Sequence, residues 1–285
     1  MTKHRSIKRV AKSVPTIEGA GVHLKRAFGF KETSVYDPFL LLDDFHSSDP
    51  AEFKAGFPWH PHRGIETVTY MIEGRVDHGD SLGNKGSIGP GDIQWMTAGS
   101  GIIHQEMPKG HDHHLWGTQL WVNLPASQKM TDPKYREVKA DGIPEVELQK
   151  GVRARLVCGS FGGVKGPIED VSVDPTYMDV SMDRGVKYLH TEAEGRSAFI
   201  YVLSGKGNVG AKEVHAEDLV LLGEGDSIEL SSGEEKFRFL YASGRPIKEP
   251  VAWYGPIVMN TQKELEQAFD EYRKGTFIKK GNDIR

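Results

Sequence analysis

Short runs in which apolar and polar residues alternate dominate the chain, and few stretches carry a helical period. In residues 118–124, Leu120, Val122 and Leu124 fall on one side and Gln119, Trp121 and Asn123 on the other, the period-two signature of a strand with one buried face. Comparable β-branched and aromatic runs occur at 67–72 (TVTYMI), 91–96 (GDIQWM), 198–203 (AFIYVL) and 237–241 (FRFLY), separated by clusters of Gly, Pro, Asn and Asp. Strands this short and this often punctuated predict an all-β sandwich or barrel. The clearest helix lies near the C-terminus. Thr261 and Glu264 make a capping-box pattern, Leu265, Ala268, Phe269 and Tyr272 follow at helical spacing, and Gly275 supplies a stop.

The pattern also repeats. Residues 69–74 (TYMIEG) read like 200–205 (IYVLSG), and 91–99 (GDIQWMTAG) read like 217–225 (EDLVLLGEG), each pair about 130 residues apart. Two similar β units in tandem fit this better than one large barrel. The expected division is 1–134 and 135–285, with the helix closing the second unit. The polar stretch 125–150, which holds three prolines, reads as a connecting segment.

Composition narrows the function classes. The 285 residues are enough for two domains with ordinary cores. With 36 basic and 40 acidic residues, the net charge of −4 gives no general case for nucleic-acid or anionic-membrane binding. A single cysteine, Cys158, excludes an internal disulfide framework and any CxxC motif. No apolar run is long enough to span a membrane, and the basic N-terminus lacks the apolar segment of a secretory signal. A cytoplasmic location is expected, with the nucleus added for a eukaryotic source.

The chemistry sits among the 12 histidines. His60 and His62 lie two apart in GFPWHPHRGIE, so on a strand their imidazoles share a face. His104 and Glu106 repeat that spacing in GSGIIHQE. Neighbouring strands carrying the two pairs would make a cage of three imidazoles and one carboxylate, a mixed set suited to Fe(II), Mn, Ni, Cu or Zn rather than Mg or Ca. Four protein ligands leave two positions of a six-coordinate metal open for small molecules. His111, His113 and His114 read as a solvated loop. Positions corresponding to the ligands in the second unit are Thr191, Ala193, Leu230 and Ser232, so that unit is expected to be metal-free; His190 and His215 have no partner at ligand spacing.

At these residues the sequence resembles the cupin superfamily and, within it, the pirins. The resemblance rests on DPFLLLDDF at 37–45, GFPWHPHRGIET at 56–67, PGDIQWMTAGSGIIHQEM at 90–107, QLWVNL at 119–124 and GPIVMN at 255–260. It implies a bicupin: two barrels, the N-terminal one holding non-haem Fe(II) through His60, His62, His104 and Glu106, the C-terminal one metal-free. In many cupins the glutamate of the first motif, here Glu66, is a ligand; the pirin pattern passes that role to Glu106 and leaves Glu66 behind the ligands.

The resemblance further implies quercetin 2,3-dioxygenase-type cleavage of a flavonol with O₂, with Glu106 able to accept the flavonol proton. Arg63 and Gln119 are candidates for orienting the substrate, Arg63 alternatively for a solvated rim. Trp59 and Trp95 are candidates for pocket walls or plain core. The alternative is a non-enzymatic, iron-dependent redox-sensing cofactor of a transcription factor or metabolic enzyme. Its protein partner would meet the basic run Lys3, Arg5, Lys8, Arg9 and Lys12, which reads equally as a solvated edge strand. A zinc hydrolase or isomerase ranks last, for want of a dedicated general acid.

Overall fold

The computed structural model describes residues 3–109 and 113–281. It is built almost wholly of antiparallel strands, with one α-helix among the described residues, Gln262–Lys274. The backbone divides into two compact units. One comprises residues 14–34, 39–140 and 247–285; the other comprises 1–13, 35–38 and 141–246.

The first unit contains two sheets. Seven strands run in the order Lys134–Val138, Ile93–Thr97, Ile65–Glu73, Leu115–Asn123, Phe39–Ser47, Val22–Phe28, Val14–Glu18. Four run in the order Phe57–His62, Ile102–Pro108, Val76–Asp80, Lys85–Ile88. Apolar side chains fill the space between them, with Val22, Leu24, Phe45, Met71, Val76 and Ile88 forming one cluster. Each such side chain contributes about 1.5–3 kcal/mol by leaving water, which is what holds two sheets face to face.

In the second unit one connected sheet has the order Ile7–Lys12, Asp218–Leu222, Ser197–Val209, Ser227–Gly244, Thr176–Met182, Val152–Cys158, Glu145–Gln149. Its two long strands, Ser197–Val209 and Ser227–Gly244, slip register beside Gly205 and so turn the sheet. Gly205 has φ 74, and Gly74, its counterpart in the first unit, has φ 76. A Cβ on either would meet a facing carbonyl oxygen, at 1.9 Å for Gly205 and 2.4 Å for Gly74. The repeated strand-then-glycine pattern therefore marks the same physical need twice. Valine, leucine, isoleucine and aromatic side chains fill this unit's interior.

Three expectations change. The units do not part between 134 and 135, because both chain ends cross over in sequence. Ile7–Lys12 pairs with Asp218–Leu222, while the helix packs Leu265 and Ala268 into a cluster with Ile103 and Phe277 of the first unit. The stretch 125–150 is more than a connector, since Lys134–Val138 pairs with Ile93–Thr97 and Glu145–Gln149 pairs with Val152–Cys158. The basic run is an edge strand but not a uniform basic face, because Arg5 is buried and donates to the carbonyls of Gly223 and Arg196. No helix of the described residues is long and apolar enough to cross a membrane.

Candidate functional site

His60 and His62 lie on the strand Phe57–His62, and the next strand of the same sheet, Ile102–Pro108, places His104 directly opposite His60. The three imidazoles converge, with one ligand atom from each lying within 4.8 Å of the others. Glu106 follows on the same strand after a register shift and faces the same cavity. It stands apart from the imidazole group. Its Oε1 accepts from Thr69 Oγ1 at 2.8 Å and its Oε2 lies 3.4 Å from Gln119 Nε2. Thr69 and Gln119 sit opposite each other on the seven-stranded sheet, so the carboxylate is held from across the barrel.

The protonation of the rings follows from their outer contacts. His60 Nδ1 lies 2.8 Å from Pro58 O and His62 Nδ1 lies 3.0 Å from Pro256 O. A carbonyl only accepts, so each Nδ1 carries the hydrogen and each Nε2 a lone pair. Burial pushes His60 below the ordinary histidine range, and His62 and His104 well below it. The two Nε2 atoms nevertheless face each other at 3.0 Å, and the buried Nε2 of His104 has no hydrogen-bond partner. Neutral imidazoles pointing bare lone pairs at one another repel, and a cation between them removes the repulsion. The residues present therefore fit a metal with a preference for nitrogen donors. Burial also lifts Glu106, to about 7, against the hydrogen bonds from Thr69 and Gln119.

A cavity of about 700 Å³ opens onto these groups. Its walls are mainly apolar and include Trp59, Trp121, Trp253, Phe30 and Leu41, with Gln119, Thr69, Asp43 and Arg26 as its polar side. Volume and character both suit a flat aromatic ligand.

Three candidates from the sequence do not reach this cavity. Arg63 is neither a solvated rim residue nor a substrate contact. It is 2% exposed, donates to Ser100 O and Phe277 O, and pairs with Glu271 at 2.8 Å, because the C-terminal segment folds over it. Glu66 and Trp95 project from the opposite face of the sheet, since Glu66 pairs with Thr97 and Val68 with Trp95, one residue out of phase with Thr69. Glu66 accepts from Thr97 Oγ1 at 2.6 Å and Trp95 is fully buried. Trp59 and Gln119 do line the cavity. Of the histidine-rich loop, residue 111 lies outside the described residues, while His113 and His114 are exposed.

Sequence reasoning missed Thr69, Asp43, Arg26, Trp253 and Pro256. For Thr69 and Asp43 the signal exists: each is a polar residue on the strand face that otherwise alternates into the barrel. Pro256 lies within the GPIVMN motif, yet its role depends on a chain crossing that spacing does not reveal.

Known proteins are similar to this chain over most of its length. A family model described as Pirin matches residues 21–122, and one described as Pirin C-terminal cupin domain matches residues 177–278. A Caulobacter vibrioides protein called "Pirin-like protein" is 44% identical over 274 residues, covering 96% of this chain and 99% of its own length. A Pseudomonas aeruginosa protein called "Putative quercetin 2,3-dioxygenase" is 40% identical over 282 residues, with 96% and 99% covered. The crystal structure of a quercetin 2,3-dioxygenase from Acinetobacter baumannii superposes with a TM-score of 0.89 at 32% identity, covering 96% of this chain and 98% of that one.

Proposed function

The chain belongs to the pirin family, and on that premise we propose that it is an Fe(II)-dependent oxidoreductase of the quercetin 2,3-dioxygenase type, with His60, His62, His104 and Glu106 as metal ligands. The observation that carries the proposal is the set of neutral, converging imidazoles at the floor of an apolar cavity large enough for a flavonol. The names of the Pseudomonas and Acinetobacter relatives support the same reaction class.

Bound there, a redox-active divalent metal supplies acidity for a flavonol hydroxyl and electron transfer to O₂. The chain supplies the rest. Pro58 O and Pro256 O hold His60 and His62 in the tautomer that presents Nε2. Thr69 holds Oε1 of Glu106, which leaves Oε2, with its longer contact to Gln119, as the oxygen that takes the flavonol proton. Trp59 and Trp121 line the cavity, where they would flank a flat ligand.

Anaerobic reconstitution with Fe(II), followed by oxygen-electrode traces with quercetin, tests the reading. Wild type is expected to take up O₂ and release carbon monoxide in proportion to quercetin, and His62→Ala to do neither. Tight iron binding without uptake would overturn it.

A further inference from the structure

The inner face of the seven-stranded sheet carries a polar rank that crosses six strands. Arg26 lies opposite Asp43, Asp43 opposite Gln119, Gln119 opposite Thr69, Thr69 opposite Gln94 and Gln94 opposite Glu137. Cross-strand partners share a face, so these side chains form one line perpendicular to the strands. The neighbouring lines are largely apolar: Phe45, Gly117 and Met71 on one side, Leu41, Trp121, Thr67 and Met96 on the other. Glu106 meets the rank from the facing sheet at Thr69 and Gln119. From that point the cavity follows it outward through Asp43 to Arg26.

The outer end is held firmly. Arg26 Nε and Nη2 lie 2.8 and 2.7 Å from the two oxygens of Asp43, and Nη1 lies 2.9 Å from Glu18. These contacts engage three of the five guanidinium hydrogens, and each Asp43 oxygen keeps an acceptor site. Asp43 is only 6% exposed. Arg26 is partly exposed, but burying the Asp43 carboxylate costs desolvation that an apolar side chain in the same wall would not incur. Among the described residues lining the cavity, Arg26 is the one guanidinium or ammonium.

We propose that Asp43 and Arg26 form a distal subsite that recognises a hydroxyl group on the far ring of the ligand, the hydroxyl donating to Asp43 and accepting from Arg26. Two interstrand spacings, about 10 Å, separate the strand of Gln119 from that of Arg26. Asp43 lies one such spacing, about 5 Å, from the strand of Gln119, so a ligand that engages both Glu106 and the pair needs two oxygens set apart across the sheet, as a flat polyphenol of linked rings has. The substrate class is thus a multi-ring aromatic with one oxygen directed at the imidazole cage and a hydroxyl at its other end. The inference rests on the proposed reaction only for what happens at the cage end.

Binding to the metal-free chain separates the two. Quenching of tryptophan fluorescence reads the affinity for quercetin, which carries distal-ring hydroxyls, and for 3-hydroxyflavone, which lacks them. Wild type is expected to bind quercetin about tenfold more tightly or better, the usual effect of a hydrogen bond to a charged group. Asp43→Asn is expected to lose most of that ratio while holding 3-hydroxyflavone as wild type does. If Asp43→Asn weakens both ligands through misfolding, the double variant Arg26→Met, Asp43→Leu decides, since it leaves no unpaired charge. A wild type that does not discriminate, or variants that keep the wild-type ratio, overturn the subsite. Discrimination without O₂ uptake by the Fe(II)-loaded protein leaves the subsite standing and removes the reaction instead.

Discussion

A buried histidine with little to stabilise its charged form is a weak point in acid, and His190 is one. It is 4% exposed, its Nδ1 lies 3.1 Å from Tyr188 OH, and its Nε2 has no hydrogen-bond partner. Burial, with Arg5 adding to it and Glu192 opposing, pushes it down to about 4. Above pH 6.5 the residue is neutral in both folded and unfolded chains and costs nothing. Between 6.5 and 4 the unfolded chain takes the proton and the folded chain refuses it, so stability falls as pH drops, by about 3 kcal/mol at pH 4. His190→Leu is expected to lose less stability than wild type between pH 7 and pH 4.5 in urea titrations; parallel losses would show that other groups govern the acid limb. At this same scale the convergence of His60, His62 and His104 was legible, because a strand's period of two puts the residues of a His-x-His on one face. Thr69 and Asp43 gave a weaker signal. A lone polar residue on the inward phase of a strand marks its face, but only the register shows what lies opposite.

The C-terminal helix shows how far local rules reach. Its start at Thr261, with Glu264 returning to the cap, and its stop at Gly275 in the left-handed region follow from capping chemistry alone. Its destination does not. The helix places Glu271 against Arg63, the residue after His62, and the chain beyond it lays Phe277 under the guanidinium at 4.2 Å. Burial pushes Glu271 up, yet hydrogen bonds from Gln267, Lys279 and Arg63 outweigh this and hold it at about 2. Glu271→Ala leaves the buried guanidinium with carbonyl partners only, a loss of about 3–5 kcal/mol of the kind seen when one member of a buried pair is removed. Thermal unfolding should show a clear drop for Glu271→Ala, a negligible one for the exposed Glu266→Ala, and recovery in Arg63→Met, Glu271→Met. A melting temperature unchanged by Glu271→Ala would mean that the helix is held by Leu265 and Ala268 alone.

For the whole molecule, the question is why a duplicated fold carries one candidate centre. Among the described residues, His60, His62 and His104 are the one group of three metal-capable side chains whose ligand atoms converge. In the second unit, Leu230 packs into the apolar interior, Thr191 is exposed, and Ser232 Oγ is engaged by Val186 N at 3.0 Å. The interior of the second unit is packed with apolar side chains, Val180, Ile200, Val220 and Phe239 among them. Filling a barrel with apolar side chains stabilises it, whereas lone pairs facing an open cavity do not, so only the unit that carries the imidazoles bears that cost. The stoichiometry follows. Elemental analysis after anaerobic loading and desalting should find one metal per chain in wild type and none in His60→Ala, His62→Ala. Metal retained by that double variant would point to a site other than the converging imidazoles.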